Sequence, residues 1–352
     1  MRIQTSRVFR YCLPLKAEWR SAHGDFSTRS GWLLCLETDT GLRGWGDYAP
    51  LPGGAASDTL LHWHSGMPGL DLMQAQRRLK QSALAPAACC AVDTALADLA
   101  AQQAGLPLAR WLNPHADLPE ADLMVPCNAA LGVLDETAAA RAAAALADGF
   151  AVLKLKVGLA GVAQELDWLR QVADVLPPGI MLRLDANRAW SESDAQRFIA
   201  GLHGLPVEML EEPLARPDLS RLAALQQQTA IALALDESLS ELGLAQVCAG
   251  RAVRRLVLKP VLLGGLHTAL DWARQAQAQG MACVVTTTLD SAVGTLAAAH
   301  LAAALGNGLH HGLATSSWLA RDVGRAPRVS GGIMRLGTQP GLGFEPDWEA
   351  LS

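Results

Sequence analysis

The chain is predicted to be an α/β protein built around a (β/α) barrel, and two observations carry that prediction. From about residue 124 onward, short apolar segments alternate with helical stretches rich in Ala, Leu and Gln. Such alternation marks parallel strands joined by crossover helices. Charged residues then recur at the carboxyl ends of successive segments: Lys156, Asp185, Glu211, Asp236 and Lys259, spaced 29, 26, 25 and 23 residues apart. Each interval is the length of one βα unit, and the carboxyl ends of barrel strands are where active sites are built. An open parallel sheet is the alternative that the pattern alone leaves standing.

The first part of the chain is mixed. Residues 32–50, WLLCLETDTGLRGWGDYAP, read as a hairpin with a turn at DTG, and a Pro/Gly-rich loop, APLPGG, follows. From Pro86 an alanine-rich helix runs to a stop at Gly105, with Pro suited to the first turn and Gly to the end. The strands expected next are MVPCNAA, AVLKLKVG, IMLRLDAN, VEMLEEP, IALALDES, RRLVLKP and ACVVTTT, with helices such as ESDAQRFIAGL and LHTALDWARQAQAQG between them. Gly264-Gly265 reads as a tight turn after Lys259, and His310-His311 as a loop. The tail, PGLGFEPDWEA, is expected to return to the first domain. The division is 1–120 with the tail from about 325, against 121–324 for the barrel.

Composition narrows the function classes. With 352 residues, half of them hydrophobic, the chain can bury a sizeable core. A net charge of −5 and a pI near 6.0 give no electrostatic case for nucleic acid. No run of apolar residues has the length of a membrane span, and the N-terminus lacks the pattern of a signal peptide. Seven cysteines without a CxxC read as small buried hydrophobes in a reducing compartment. A cytoplasmic protein is expected, with a small-molecule carboxylate as its partner and an oligomeric state that the sequence leaves open.

The strand LKLKVG poses the chemical question. Residues two apart in a strand share a face, so Lys154 and Lys156 lie together, opposite Leu153, Leu155 and Val157. Alone, such a pair suits the solvated face of an edge strand; the spacing above makes the strand central instead. Asp185, Glu211 and Asp236 are then three carboxylates brought to one place, which a cation between them would tolerate. Oxygen-only ligands suit Mg²⁺, or Mn²⁺, rather than zinc. The next residues along, Glu212 and Glu237, point elsewhere by alternation and read as supporting groups. Lys156 and Lys259 flank the triad. A lysine has a free pKa of about 10.4; burial, a metal and a like charge all lower it. Lys156 is therefore expected to be a base tuned by Lys154, which is also placed to touch a substrate carboxylate. The chemistry that follows is removal of a proton α to a carboxylate, through an enediolate.

These residues resemble the enolase superfamily, in its muconate lactonising subgroup. KxK, LDAN, EEP, DES and LKP occur in the family's order, and the family's lysine base and ene-diolate chemistry match the reading above. The resemblance implies a modified (β/α)7β TIM-type barrel with an α+β capping domain. Within the subgroup, GWGDYAPLPGG, LRLDANRAW and TTTLDSAVG resemble segments of the o-succinylbenzoate synthases. It implies substrate contacts at Arg183, Asn187, Thr286, Thr288, Asp290, Tyr48 and Leu51. Threonines stand where that group has serines, aspartate at 290 where it has glutamate, and Tyr48 is an addition. It implies that residues 21–30, with His23 and Arg29, form a mobile loop closing on substrate. The reaction implied is syn-dehydration of 2-succinyl-6-hydroxy-2,4-cyclohexadiene-1-carboxylate, a step of menaquinone biosynthesis. Lys156 would be base and then acid, and Lys259 a stabilising cation. An N-acylamino acid racemase or dipeptide epimerase using the same lysines, and a non-catalytic metal-binding scaffold, remain as alternatives.

Overall fold

A computed structural model describes residues 1–21, 24–51, 59–116, 118 and 123–351. Three antiparallel strands open the chain: β1 (Ile3–Ser21), β2 (Gly24–Thr38) and β3 (Arg43–Tyr48). Residues 24–30 therefore belong to a long strand pairing, not to a loop; Leu13 faces Arg29 across it. His23 and the Pro52–Gly54 end of the APLPGG loop lie outside the described residues. The β2–β3 hairpin forms as expected, with Trp32 opposite Tyr48.

The Pro86–Gln103 helix, with proline in its first turn, lies directly on β3. The GWG run explains why it can. A Cβ on Gly44 would come 2.2 Å from the Ala95 carbonyl oxygen, and one on Gly46 would come 1.8 Å from that of Ala91. Only glycine lets strand and helix backbones approach so closely. Trp45, between them, instead meets Phe344 edge-on at 5.3 Å and Trp348 at 5.9 Å. Asp98 of the helix accepts bonds from the Trp45 and Leu342 backbone N–H groups. The 341–348 tail is thus packed against the first sheet.

The second part follows the period-two logic of buried parallel strands. MVPCNAA is not one strand: β4 (Leu123–Pro126) ends at a proline that has no N–H to donate, and β5 (Ala129–Val133) starts the parallel sheet. β6 (Val152–Lys156), β7 (Met181–Asp185), β8 (Val207–Glu211), β9 (Ala232–Leu235), β10 (Arg255–Leu258) and β11 (Ala282–Val285) follow, each paired to the last in chain order. Two short strands complete a small antiparallel sheet, in which β12 (Val329–Ser330) pairs with β13 (Ile333–Leu336) and β13 with β4.

His311 and Gly312 close the curve. The His311 N–H donates to Pro126 O (2.8 Å), the Asn128 N–H to His311 O (3.0 Å), and the Gly312 N–H to Val285 O (2.9 Å). This pair of parallel bridges is the eighth strand of a (β/α)7β barrel, so His311 sits in a closing strand rather than a loop, while His310 stays outside it as expected. Outside the barrel, Leu153, Leu155, Leu182, Leu184 and Leu210 are fully buried against the helices, each contributing about 1.5–3 kcal/mol. Inside, Met209, Ala234 and Val257 form a small plug. Each lies two residues before Glu211, Asp236 and Lys259, one layer nearer the strands' amino ends. Of the cysteines, Cys12 is exposed, against expectation, and none of the seven forms a disulfide. No described helix is long and apolar enough to cross a membrane.

Candidate active site

The carboxyl ends of β6 to β10 carry Lys156, Asp185, Glu211, Asp236 and Lys259 into one end of the barrel. Register places Lys156 beside Asp185, and Asp185 beside Glu211. A cavity of about 180 Å³ opens there, lined by Lys154, Lys156, Asp185, Asp236 and Lys259. The loops are held from behind. Buried Glu165 accepts the N–H groups of Gly158, Leu159 and Ala160 after β6. Glu212 turns away through a left-handed φ of 48° and accepts the Asp236 N–H (2.7 Å) and the Ser238 N–H (2.9 Å). Burial, then Glu237, pushes Glu212 up to about 7. It is the supporting group expected. Glu237 is not: it lines the cavity beside Asp236.

Charge in the site is balanced internally. The Lys154 ammonium lies 2.9 Å from Asp185 Oδ2 and 2.7 Å from Glu211 Oε2, and Lys259 pairs with Asp236 Oδ2. Residue spacing carries no sign of this balance, which depends on the side chains' reach. Burial would lower Lys154, but Asp185 and Glu211 raise it well above the usual lysine range. Lys259 is likewise raised, chiefly by Asp236 against burial. Lys156 moves the other way: burial lowers it, Asp185 opposes, and Lys154 and Lys259 lower it further. The expected tuning by Lys154 is present, with burial the larger cause. Burial would raise Asp185, yet Lys154 holds it below its ordinary value; Glu211, buried beside Asp185, is pushed up.

Among the described residues no group of three acidic, His or Cys side chains, the expected Asp185, Glu211 and Asp236 included, is placed to hold a metal ion as it stands. The residues nevertheless fit a hard divalent cation. The donors are all carboxylate oxygens on neighbouring strand ends, and Glu211 Oε1 is buried without a hydrogen-bond partner.

The expected substrate contacts divide. Asn187, Thr286, Thr288 and Leu51 line the cavity; Thr286 Oγ1 is buried and unpartnered. Arg183, Tyr48 and Asp290 do not line it. Arg183 is 1% exposed, one layer below the ring, and bonds Glu208, Asn128 Oδ1 and His310 O. Its motif position aims it into the barrel, where neighbours consume its donors. Tyr48 is buried in the first sheet, stacked on Trp32 at 5.3 Å. Asp290 is buried and accepts from Thr288 Oγ1 (2.6 Å). Phe26, from the 21–30 segment expected to meet substrate, lines the cavity; Thr287, Leu289 and Thr315 line it too, and sequence reasoning misses these three as site residues. Thr287 and Leu289 lie within TTTLDSAVG, where the motif could have pointed to them. Thr315, after a two-residue strand, carries no signal.

Residues 137–350 match the enolase C-terminal domain-like family. The L-Ala-D/L-Glu epimerase of Bacillus subtilis is 29% identical, over 98% of this chain and 96% of that protein. An o-succinylbenzoate synthase of Yersinia pseudotuberculosis is 31% identical, over 92% of this chain and 94% of that protein. Among solved structures, the dipeptide epimerase of Enterococcus faecalis, complexed with Mg and the dipeptide L-Leu-L-Tyr, superposes with a TM-score of 0.88 at 28% identity, over 98% of this chain and all of that one.

Proposed function

The chain belongs to the enolase superfamily, and from that premise we propose that it removes a proton α to a carboxylate, as an o-succinylbenzoate synthase. The observation that carries the chemistry is the pair Lys156 and Lys259 at one cavity, from β6 and β10, with the carboxylates of β7 to β9 between them in strand order. Lys156, lowered by burial and by two neighbouring ammonium groups, is the base. Lys259 stays charged and faces the negative charge that develops as the proton leaves. Lys156 then returns its proton to the departing hydroxyl on the same face. Asp185, Glu211 and Asp236 would hold Mg²⁺, which would lend positive charge to the substrate carboxylate. Lys154 is then available to meet that carboxylate.

The wall of the cavity supports the choice of substrate. Away from the ring it carries Thr286, Thr287, Thr288 and Thr315, with apolar Phe26 and Leu289. The acids lining the cavity, Asp185, Asp236 and Glu237, stand at the strand ends with the lysines. Among the described residues that wall carries no acid, so the free ammonium group of a dipeptide finds no partner there; a succinyl-bearing acid brings acceptors for hydroxyls. Epimerisation of dipeptides or racemisation of N-acylamino acids is the second reading, favoured by the near full-length similarity to the epimerases.

The test is to incubate the protein with the cyclohexadiene substrate, N-succinylamino acids and dipeptides in D₂O, with Mg²⁺ and with chelator. Formation of o-succinylbenzoate, lost with chelator, is expected. Efficient racemisation of the amino acid derivatives, with the cyclohexadiene untouched, would promote the second reading.

A further inference from the structure

Arg29 is the largest fully buried cation of the first domain, 1% exposed, and no carboxylate forms an ion pair with it among the described residues. Its guanidinium is spent on backbone carbonyls of its own neighbour and of two distant parts of the chain. Nη1 donates to Pro50 O (2.5 Å) and Ser30 O (3.3 Å), and Nη2 to Ala49 O (2.6 Å). Nε donates to Leu289 O (3.2 Å), 260 residues away on the barrel. Each anchored segment supplies a cavity residue: Leu51 follows Pro50, and Leu289 lines the cavity itself. Phe26, on the same strand as Arg29, is a third.

Leu289 has a left-handed φ of 63°, which a bulky side chain adopts only where its surroundings enforce it. The enforcing contacts are visible. Besides Arg29, Thr288 bonds Asp290, and the Ser291 N–H and Oγ donate to Asp47 of β3 at 3.0 and 2.8 Å. Tyr11 Oη donates to the other oxygen of Asp47 (2.7 Å). The strained turn is thus held from the first sheet across the domain junction.

We propose that Arg29 is a positioning residue that sets the substrate-binding wall, by fixing Leu51 and Leu289 relative to each other across the junction. A lysine cannot replace it, because one ammonium lacks the planar fork that spans these four carbonyls. The proposal rests on the cavity being the site of the proposed chemistry.

The test uses Arg29→Lys and Arg29→Met in the full chain, with two readouts. KM for the carboxylate that the wild type accepts should rise roughly tenfold or more, as expected of lost positioning, while kcat and α-proton exchange at saturation change by less than about threefold. Independently of activity, backbone amide exchange should quicken in both 47–51 and 286–292, and not in β6 to β8. If Arg29→Met does not fold, Arg29→Lys, which keeps the charge, decides. Unchanged exchange in these two segments, or a fall in kcat at constant KM, would overturn the proposal. A wild type that exchanges no α-proton on any tested carboxylate would instead refute the proposed function, leaving the amide exchange to decide the role of Arg29.

Discussion

Lys154 and Lys156 share one face of one strand yet are pulled in opposite directions. Lys154 touches two carboxylates and is held charged; Lys156 is half-buried near two other ammonium groups and lowered. The difference is legible in outline from the sequence, because period-two alternation and βα spacing bring these residues together. Which carboxylate each lysine meets is not, since that depends on side-chain reach. Lys156→Ala should abolish product formation, because the syn reaction needs one base on that face. Lys259→Arg should keep a weakened but measurable dehydration, since arginine retains the charge. In a racemase the same change should stop racemisation, because arginine cannot exchange the proton, while one enantiomer still loses its α-proton through Lys156. Steady-state rates and ¹H NMR in D₂O on the two variants separate these outcomes. Full dehydration by Lys156→Ala would remove the base assignment.

At the scale of elements, the strands that end in charged residues are the most readable. An apolar run closed by Lys, Asp or Glu, repeated at the length of a βα unit, marks a parallel βα array with one charged end, and the closure into a barrel is what the structure adds. The β1–β2 pairing is less so. Its sequence mixes Arg, Glu and Pro14 into the alternation, and the family resemblance points to a loop there instead. GWG is visible as a motif, but the reason for its glycines is a packing fact: the Pro86–Gln103 helix rests on β3 with no room for a Cβ. Gly46→Ala should therefore cost on the order of 3 kcal/mol through overpacking. Gly250→Ala, at a position where a Cβ meets nothing within 4 Å, should stay within about 0.5 kcal/mol. Urea denaturation of the two variants checks this, and equal midpoints would show that helix and strand part easily.

For the whole molecule, closure of the barrel depends on two residues from the far end of the chain. A strand of that length has no periodicity to read, so His311 is visible in the sequence only as half of a histidine pair. Its Nδ1 accepts the Val285 N–H at 2.9 Å, while its own N–H and carbonyl bond Pro126 and Asn128. The ring must therefore be unprotonated at Nδ1. Burial, then Arg183 and His310, lower it to about 3. The unfolded chain takes up this proton near pH 6.5, and the folded chain refuses it until about pH 3. The folded pKa is thus depressed, and the stability it carries is complete above the unfolded value and lost as pH falls through that window. Asp47 and Asp98, each pushed up to about 6 by burial, slope the other way, and His300, lowered to about 4, slopes the same way. A comparison of two proteins sharing those groups cancels them. His311→Gln keeps an acceptor for Val285 but cannot titrate. Between pH 7 and pH 5 the wild type should lose about 2 kcal/mol more than the variant, although the variant starts less stable at pH 7. Chemical denaturation of both proteins at the two pH values measures the difference. Equal losses would mean that the closing strand opens to solvent and lets His311 take up its proton in the folded barrel.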